Sequence, residues 1–275
     1  MVKYVSGSTK EEINISDGKI RTRIGSAGLY SHKWEVDETK LNIGSKVNAL
    51  KMKAKEYTLK IDFLGSKAER AQNAEKFFEL AELDILNETP GRLHFKEYYI
   101  ECYVLSESYG KAPGNIRGIQ NEARIYAPYP FWVSEQSYNF NSTGITSSNN
   151  KSYPGRYGYR YANGLNSSYI INPHFSDSNF KMIIYGPVVN PQVTVGGNQY
   201  LVYITLEEGE YLEIDSRTGT LKKVLQNGES VDAFHNRQKG GKFFKKIPAG
   251  RQNISFSSNM IFDLFIYEER SEPKW

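Results

Sequence analysis

Side chains that do chemistry are scarce in this sequence. Its 275 residues include a single cysteine, Cys102, so no disulfide can form within the chain. Set in a largely apolar run with no cation to activate it, that thiol is expected to be a small buried hydrophobe on a strand. The four histidines, His32, His94, His174 and His235, stand far apart, which excludes the short ligand spacings by which a metal site is legible. No stretch reaches the roughly eighteen uninterrupted apolar residues of a membrane helix. Residues 1–28 contain no apolar core of a secretion signal, so assembly in a cytoplasm is the expectation. Neither sign of charge dominates: 35 lysines and arginines are interspersed among 31 acids for a formal charge of +4, a balance that excludes a nucleic-acid footprint.

Catalytic motifs are missing as well. There is no G-x-S-x-G elbow for a nucleophilic serine. Gly240-Gly241-Lys242 lacks the upstream glycine and the following Ser or Thr of a phosphate loop, which leaves a flexible hairpin tip. Glu207, Glu208, Glu210, Glu213 and Asp215 are dense enough to suggest the paired carboxylates of a glycosidase. Glu213 and Asp215 share one strand face, however, and residues 207–210 surround Gly209 in a turn, so a solvated face is the better reading. No catalytic, cofactor-binding or metal-binding residue is assigned.

What the chain does have is aromatic side chains, 20 Tyr and 14 Phe, which pack well on pleated surfaces and argue for a β-rich fold. The length is enough for two domains of ordinary size. Residues 1–52 read as short strands joined by turns at Asp17-Gly18 and around Gly25 and Gly28, with one strand around residues 28–36. Tyr57, Leu59, Ile61 and Phe63 then alternate with Glu56, Thr58, Lys60 and Asp62, the period of a half-buried strand over residues 53–63. Ser66-Lys67-Ala68-Glu69 fits a capping box, and Ala71, Ala74, Phe78, Ala81 and Ile85 recur at helical steps, with Phe77 widening the stripe. Gln72, Glu75, Glu79 and Glu82 lie opposite, giving one amphipathic helix over residues 66–86, closed by Pro90-Gly91. Residues 93–95 and 99–105 read as a hairpin, 107–118 as a loop and 119–126 as a strand. Pro128 and Pro130 in A-P-Y-P-F-W interrupt pairing and mark a boundary, which divides the chain into domains of residues 1–133 and 134–275.

Beyond it, residues 134–168 are rich in Ser, Asn, Gly and Tyr and poor in aliphatics. They read as an ordered loop and strand against their own domain, or as an arm in which Tyr153, Tyr157, Tyr159 and Tyr161 meet a neighbour. Residues 169–171 and 180–185 are strands. Tyr211, Glu213 and Asp215 alternate with Leu212, Ile214 and Ser216, carboxylates outward, while Thr218-Gly219 and Asn227-Gly228 supply reversals. The fold class is mainly β with one helix packed on the N-terminal sheet, and the C-terminal domain is a galectin-like or jelly-roll β-sandwich.

Gly186-Pro187 with Asn190-Pro191, the strand from Gly209-Glu210 to Ile214-Asp215, Phe243-Phe244 before Ile247-Pro248-Ala249-Gly250, and the terminal stretch from Arg270 to Trp275 together resemble the distal tail protein family of bacteriophages and prophages, a siphophage-type tail component. The order of strand, helix, P-G-R-L hairpin, strand and A-P-Y-P-F-W resembles the family's N-terminal domain. The resemblance implies a structural, non-enzymatic subunit of the virion tail tip, assembled in the host cytoplasm. In it, N-terminal domains form a hexameric ring around a DNA channel and C-terminal sandwiches project outward. Implied partners are further copies of itself, the tail tube protein, the tape-measure protein and the tail-tip hub or receptor-binding proteins. DNA only passes through, and no membrane is entered.

A closed ring calls for a head-to-tail interface and would cover strand edges such as that of residues 53–63. The helix is expected to stay on its own sheet while strands and loops of residues 1–132 meet the neighbouring subunit. A passage for DNA calls for a neutral or acidic lining. The alternative is a carbohydrate-binding sandwich contacting host cell-wall glycans through exposed aromatics, for which Trp132 and Trp275 are candidates alongside the tyrosines.

Overall fold

The computed structural model describes residues 2–22, 29–30, 32–111, 118–141, 169–256 and 260–274. The chain separates into two compact units, Met1–Val133 with Arg270–Trp275, and Ser134–Glu269. The terminal segment thus groups with the first unit, although its position in sequence put it with the second. Each unit has its own apolar core.

Unit 1 contains β1 (Val2–Val5), β2 (Glu12–Asn14), β3 (Ser16–Asp17), β4 (Ile20–Thr22), β5 (Glu35–Lys40), β6 (Ser45–Lys51), β7 (Lys55–Leu64), α1 (Lys67–Leu86), β8 (Gly91–Phe95), β9 (Tyr98–Lys111) and β10 (Gly118–Ala127). All the ladders are antiparallel. The alternation of Tyr57, Leu59, Ile61 and Phe63 buries those four side chains and turns their neighbours outward. β7 pairs along its whole length with β10, from Leu64↔Gly118 to Lys55↔Ala127, and its end pairs with β4 as well. It is therefore no simple open edge. The β9–β10 ladder continues through Gly110↔Gln120 to Lys111↔Ile119, so strand occupies part of the segment expected to be loop. Of the strand expected around residues 28–36, only Glu35 and Val36 lie in one, the start of β5, while the described residues 29–30 and 32–34 are not strand.

Helix α1 begins at the capping box read from sequence: Ser66 Oγ accepts from the Glu69 amide at 3.3 Å, and the Glu69 carboxylate accepts from the Ser66 amide at 2.9 Å. Its buried face is rotated from the expected stripe. Phe77, Leu80, Ala81 and Asp84 are buried, Phe78 is half-buried, and Ala71 and Ile85 face solvent. Asp84 lies on this face, one turn beyond Leu80 and two beyond Phe77. Its carboxylate accepts from Tyr4 Oη at 2.6 Å, Ser6 Oγ at 2.7 Å, Gly7 N at 3.0 Å and Ser8 N at 2.8 Å. These four donors satisfy a carboxylate with no solvent exposure and tie the first strand and its turn to the end of the helix. Gly91 allows this closure, because a Cβ there would lie 2.2 Å from Tyr4 Oη.

Strand β11 (Trp132–Asn141) leads into unit 2, which continues with β12 (Tyr169–Asn172), β13 (Phe180–Tyr185), β14 (Val188–Val189), β15 (Gln192–Val195), β16 (Asn198–Leu201), β17 (Thr205–Leu206), β18 (Tyr211–Asp215), β19 (Thr220–Val224), β20 (Ser230–Asp232), β21 (Gly250–Phe256) and β22 (Ile261–Arg270). One sheet runs β20-β19-β18-β13-β22 with β11 beside β22; a second runs β12-β21-β15-β16; β14 and β17 form a short ribbon. Met182, Ile184, Leu212, Ile214 and Leu264 from the first sheet share one core with Ile170, Val193, Val195 and Ile254 from the second.

The expected outward row on β18 is broken at its end. Asp215 is buried and accepts from the amides of Arg217 at 2.8 Å and Thr218 at 3.3 Å, capping the reversal at Gly219. Gly240 and Gly241 lie in the irregular connection between a short 3-10 turn, Phe234–Asn236, and β21, not at a hairpin tip. Residues 142–168, with Tyr153, Tyr157, Tyr159 and Tyr161, lie outside the described residues, as do Gly25, Gly28 and Trp275.

Candidate functional site

β5 and β6 pair only with each other among the described strands. Leu41 N donates to Gly44 O at 3.0 Å, and Gly44, at φ 76°, takes the left-handed conformation that reverses the ribbon. A register shift between Asp37 and Glu38 bends it. Ion pairs Lys53–Glu35 at 2.7 Å and Lys51–Asp37 at 3.2 Å hold its base, where the Trp34 ring meets Phe131 edge-on at 6.2 Å.

This ribbon carries an apolar load that belongs to neither core. Ile43 is 93% exposed, and Val36, Leu41, Val47 and Leu50 are each more than half exposed. Burying an aliphatic side chain of this size completely stabilises by about 1.5–3 kcal/mol, so these five, most of them about half exposed, forgo roughly 5–9 kcal/mol. A two-stranded ribbon is also marginal by itself. Large apolar side chains left exposed in such number on one ribbon point to a protein contact.

Among the described residues, no group of side chains elsewhere converges into a reactive site. Cys102 is buried on β9, and burial pushes its thiol up to about 12. His94 is half-buried, and desolvation first, then the charges of Lys3 and Arg92, bring it down to about 4. His32 lies 3.6 Å from Glu272, and His174 Nδ1 lies 3.0 Å from Ser176 Oγ within one turn. Among the described residues no three His, Cys, Asp or Glu side chains stand together as a metal set. A shallow cleft of about 370 Å³ is lined by Glu12, Asn14, Lys19, Asn73 and Lys76. Its cations are already engaged, Lys19 with Glu69 at 2.6 Å and Lys76 with Glu11.

Three of the five dense carboxylates, Glu210, Glu213 and Asp215, are likewise engaged. Glu210 accepts from the Glu207 amide at 2.7 Å and pairs with Lys223 at 2.6 Å, and those two contacts hold it below the usual carboxylate range. Glu213 pairs with Lys181 at 2.8 Å, and Asp215 caps its turn. Trp132, a candidate sugar platform, is fully buried against Phe95 at 6.4 Å.

Sequence reasoning missed the ribbon because its apolar side chains fall on both faces and between charges, so no clean period of two emerges. Asp84 was missed because a carboxylate inside a helical stripe reads as solvated. The one available signal was its place, three residues after Ala81 and just before the closing turn.

The fold of this chain, mainly β with one capped helix and two compact units, is similar to those of solved phage baseplate and hub proteins. Over 99% of this chain and 100% of the other, it superposes on a chain of the phage P2 baseplate in its activated conformation with Ca, with a TM-score of 0.62 at 12% identity. For the phage p2 baseplate in its activated conformation with Sr, the TM-score is 0.59 at 12% identity, over the same shares of both chains. The SPP1 Dit (gp 19.1) protein, described as a paradigm of the hub adsorption apparatus in phages that infect Gram-positive bacteria, matches with a TM-score of 0.56 at 8% identity over 98% of this chain and 99% of its own. No family model matches the sequence, and no curated protein does. The resemblance read from the residues is therefore borne out at the level of the fold.

Proposed function

We propose that this chain is a structural subunit of a phage or prophage tail tip, a distal tail protein of the siphophage type. Its copies close into a ring of six that joins the tail tube to the host-adsorption apparatus. The observation that carries this reading is the likeness of fold along nearly the whole of both chains to baseplate and hub proteins. The uncovered ribbon β5–β6 supports it further, since a subunit built for a closed assembly leaves apolar surface that only assembly can bury.

In this reading the first unit, residues 1–133 with 270–275, forms the ring around a passage for DNA, and residues 134–269, a galectin-like sandwich, project outward. The tail tube protein, the tape-measure protein and the tail-tip hub or receptor-binding proteins are its neighbours, and the virion tail tip is its place. It turns over no substrate. Burial of Trp132 removes a main support for the carbohydrate-binding alternative. Electron microscopy of the purified full-length chain tests the proposal: sixfold rings with an open centre are expected, and dispersed single subunits at high protein concentration overturn it.

A further inference from the structure

We propose that the tip of ribbon β5–β6 docks on the outer face of helix α1 of a second copy of this chain, an assignment that rests on the ring reading above. Both halves of the contact are present in unit 1, and the described contacts within one copy satisfy neither.

The tip presents Leu41 and Ile43 between two lysines, Lys40 and Lys46, which have no ion-pair partner among the described residues. Lys40 stands opposite Ser45 and Lys46 opposite Thr39, so the cations lie on the two faces of the ribbon, one on each side of its apolar end.

The helix presents the complement. Glu75, Glu79, Glu82 and Leu86 fall at helical steps of four, three and four, on one line. All are exposed, Leu86 by 71%, with Ile85 beside it. The three glutamates have no ion-pair partner among the described residues. Like charges at these spacings repel, and the helix has no basic residue in its last turn, where its dipole favours cations. An acidic stripe running to an exposed leucine therefore weakens the isolated helix and becomes favourable once cations and apolar groups cover it. The dimensions agree: the ribbon reaches about 20 Å from its base, and the stripe is about 16 Å long.

Because ribbon tip and helix face are different patches, the contact is head-to-tail and repeats around a ring. The tip lysines steer the encounter and fix its register, while Leu41 and Ile43 against Leu86 and Ile85 supply the buried apolar surface.

The full-length chain is compared with K40E/K46E and with the charge-swapped K40E/K46E/E79K/E82K by sedimentation, with circular dichroism as the folding control. The expected result is rings from the natural chain, assembly weakened roughly tenfold or more in K40E/K46E, and recovery in the folded swap variant. Ile43→Cys with Leu86→Cys should also give an oxidised ladder of linked subunits, since Cys102 is buried. Undiminished rings from K40E/K46E, or a folded swap variant that fails to recover, overturn this contact and leave the ring reading standing. A natural chain that stays monomeric overturns the ring reading itself.

Discussion

Tyr4 Oη donates to Asp84 Oδ2 across 2.6 Å with neither side chain open to solvent. Eighty residues apart, the two close unit 1: Asp84 collects three further donors from residues 6–8, so the first turn of chain is pinned to the last turn of α1. Charge-assisted bonds of this kind contribute about 1.5–3 kcal/mol each. Asp84→Asn, which faces donors with a donor, is expected to lose about 3 kcal/mol and Tyr4→Phe about 2 kcal/mol. In urea unfolding the double variant should lose less than their sum, because the two share one interaction; strict additivity would mean that the pair is not coupled.

Gly91 tests the same closure from the backbone side. A methyl group there would lie 2.2 Å from Tyr4 Oη and 2.8 Å from Asp84 Oδ2. Gly91→Ala should cost about 1–3 kcal/mol, and the cost should be smaller in a Tyr4→Ala background, where the phenol is gone and only the contact with Asp84 remains.

The rotated helix face is checked by neighbouring phenylalanines. Phe77 is buried against Tyr4 and Phe63, whereas Phe78 is only partly covered. Phe77→Ala should cost about 3–5 kcal/mol and Phe78→Ala less than about 2 kcal/mol, read from thermal unfolding. The reverse order would restore the stripe expected from periodicity.

Much of the scaffold was legible in the residues for physical reasons that can be named. The capping box of Ser66 and Glu69 is a local geometry, and the alternation from Tyr57 to Phe63 reflects a strand with one wet face. What escaped depends on contacts distant in sequence. Asp84 is buried only because Tyr4 and Ser6 come to meet it; Asp215, by contrast, is satisfied locally, by the amides of Arg217 and Thr218 two and three residues on. The ribbon escaped for a different reason: its apolar side chains are half or more exposed and belong to neither core, so no core-facing pattern records them.

His94 gives a pH signature. Burial lowers it from 6.5 to about 4 in the folded chain. The unfolded chain therefore binds more protons between those values, and stability falls as pH drops from about 6.5 and levels off below about 4. The shift corresponds to no more than about 3 kcal/mol. His94→Gln should flatten this part of the stability profile measured by denaturant unfolding.

Cys102 should be inert while the chain is folded. With its thiol buried and pushed up to about 12, it should resist an exposed-thiol reagent at neutral pH and react fully once denatured. Rapid labelling of the native chain would contradict its placement.

The account depends most on assembly, and native mass spectrometry of the full-length chain measures that directly. A dominant species at six times the 31.4 kDa chain mass is the predicted result. A single species at the mass of one chain, persisting as protein concentration is raised, would contradict it.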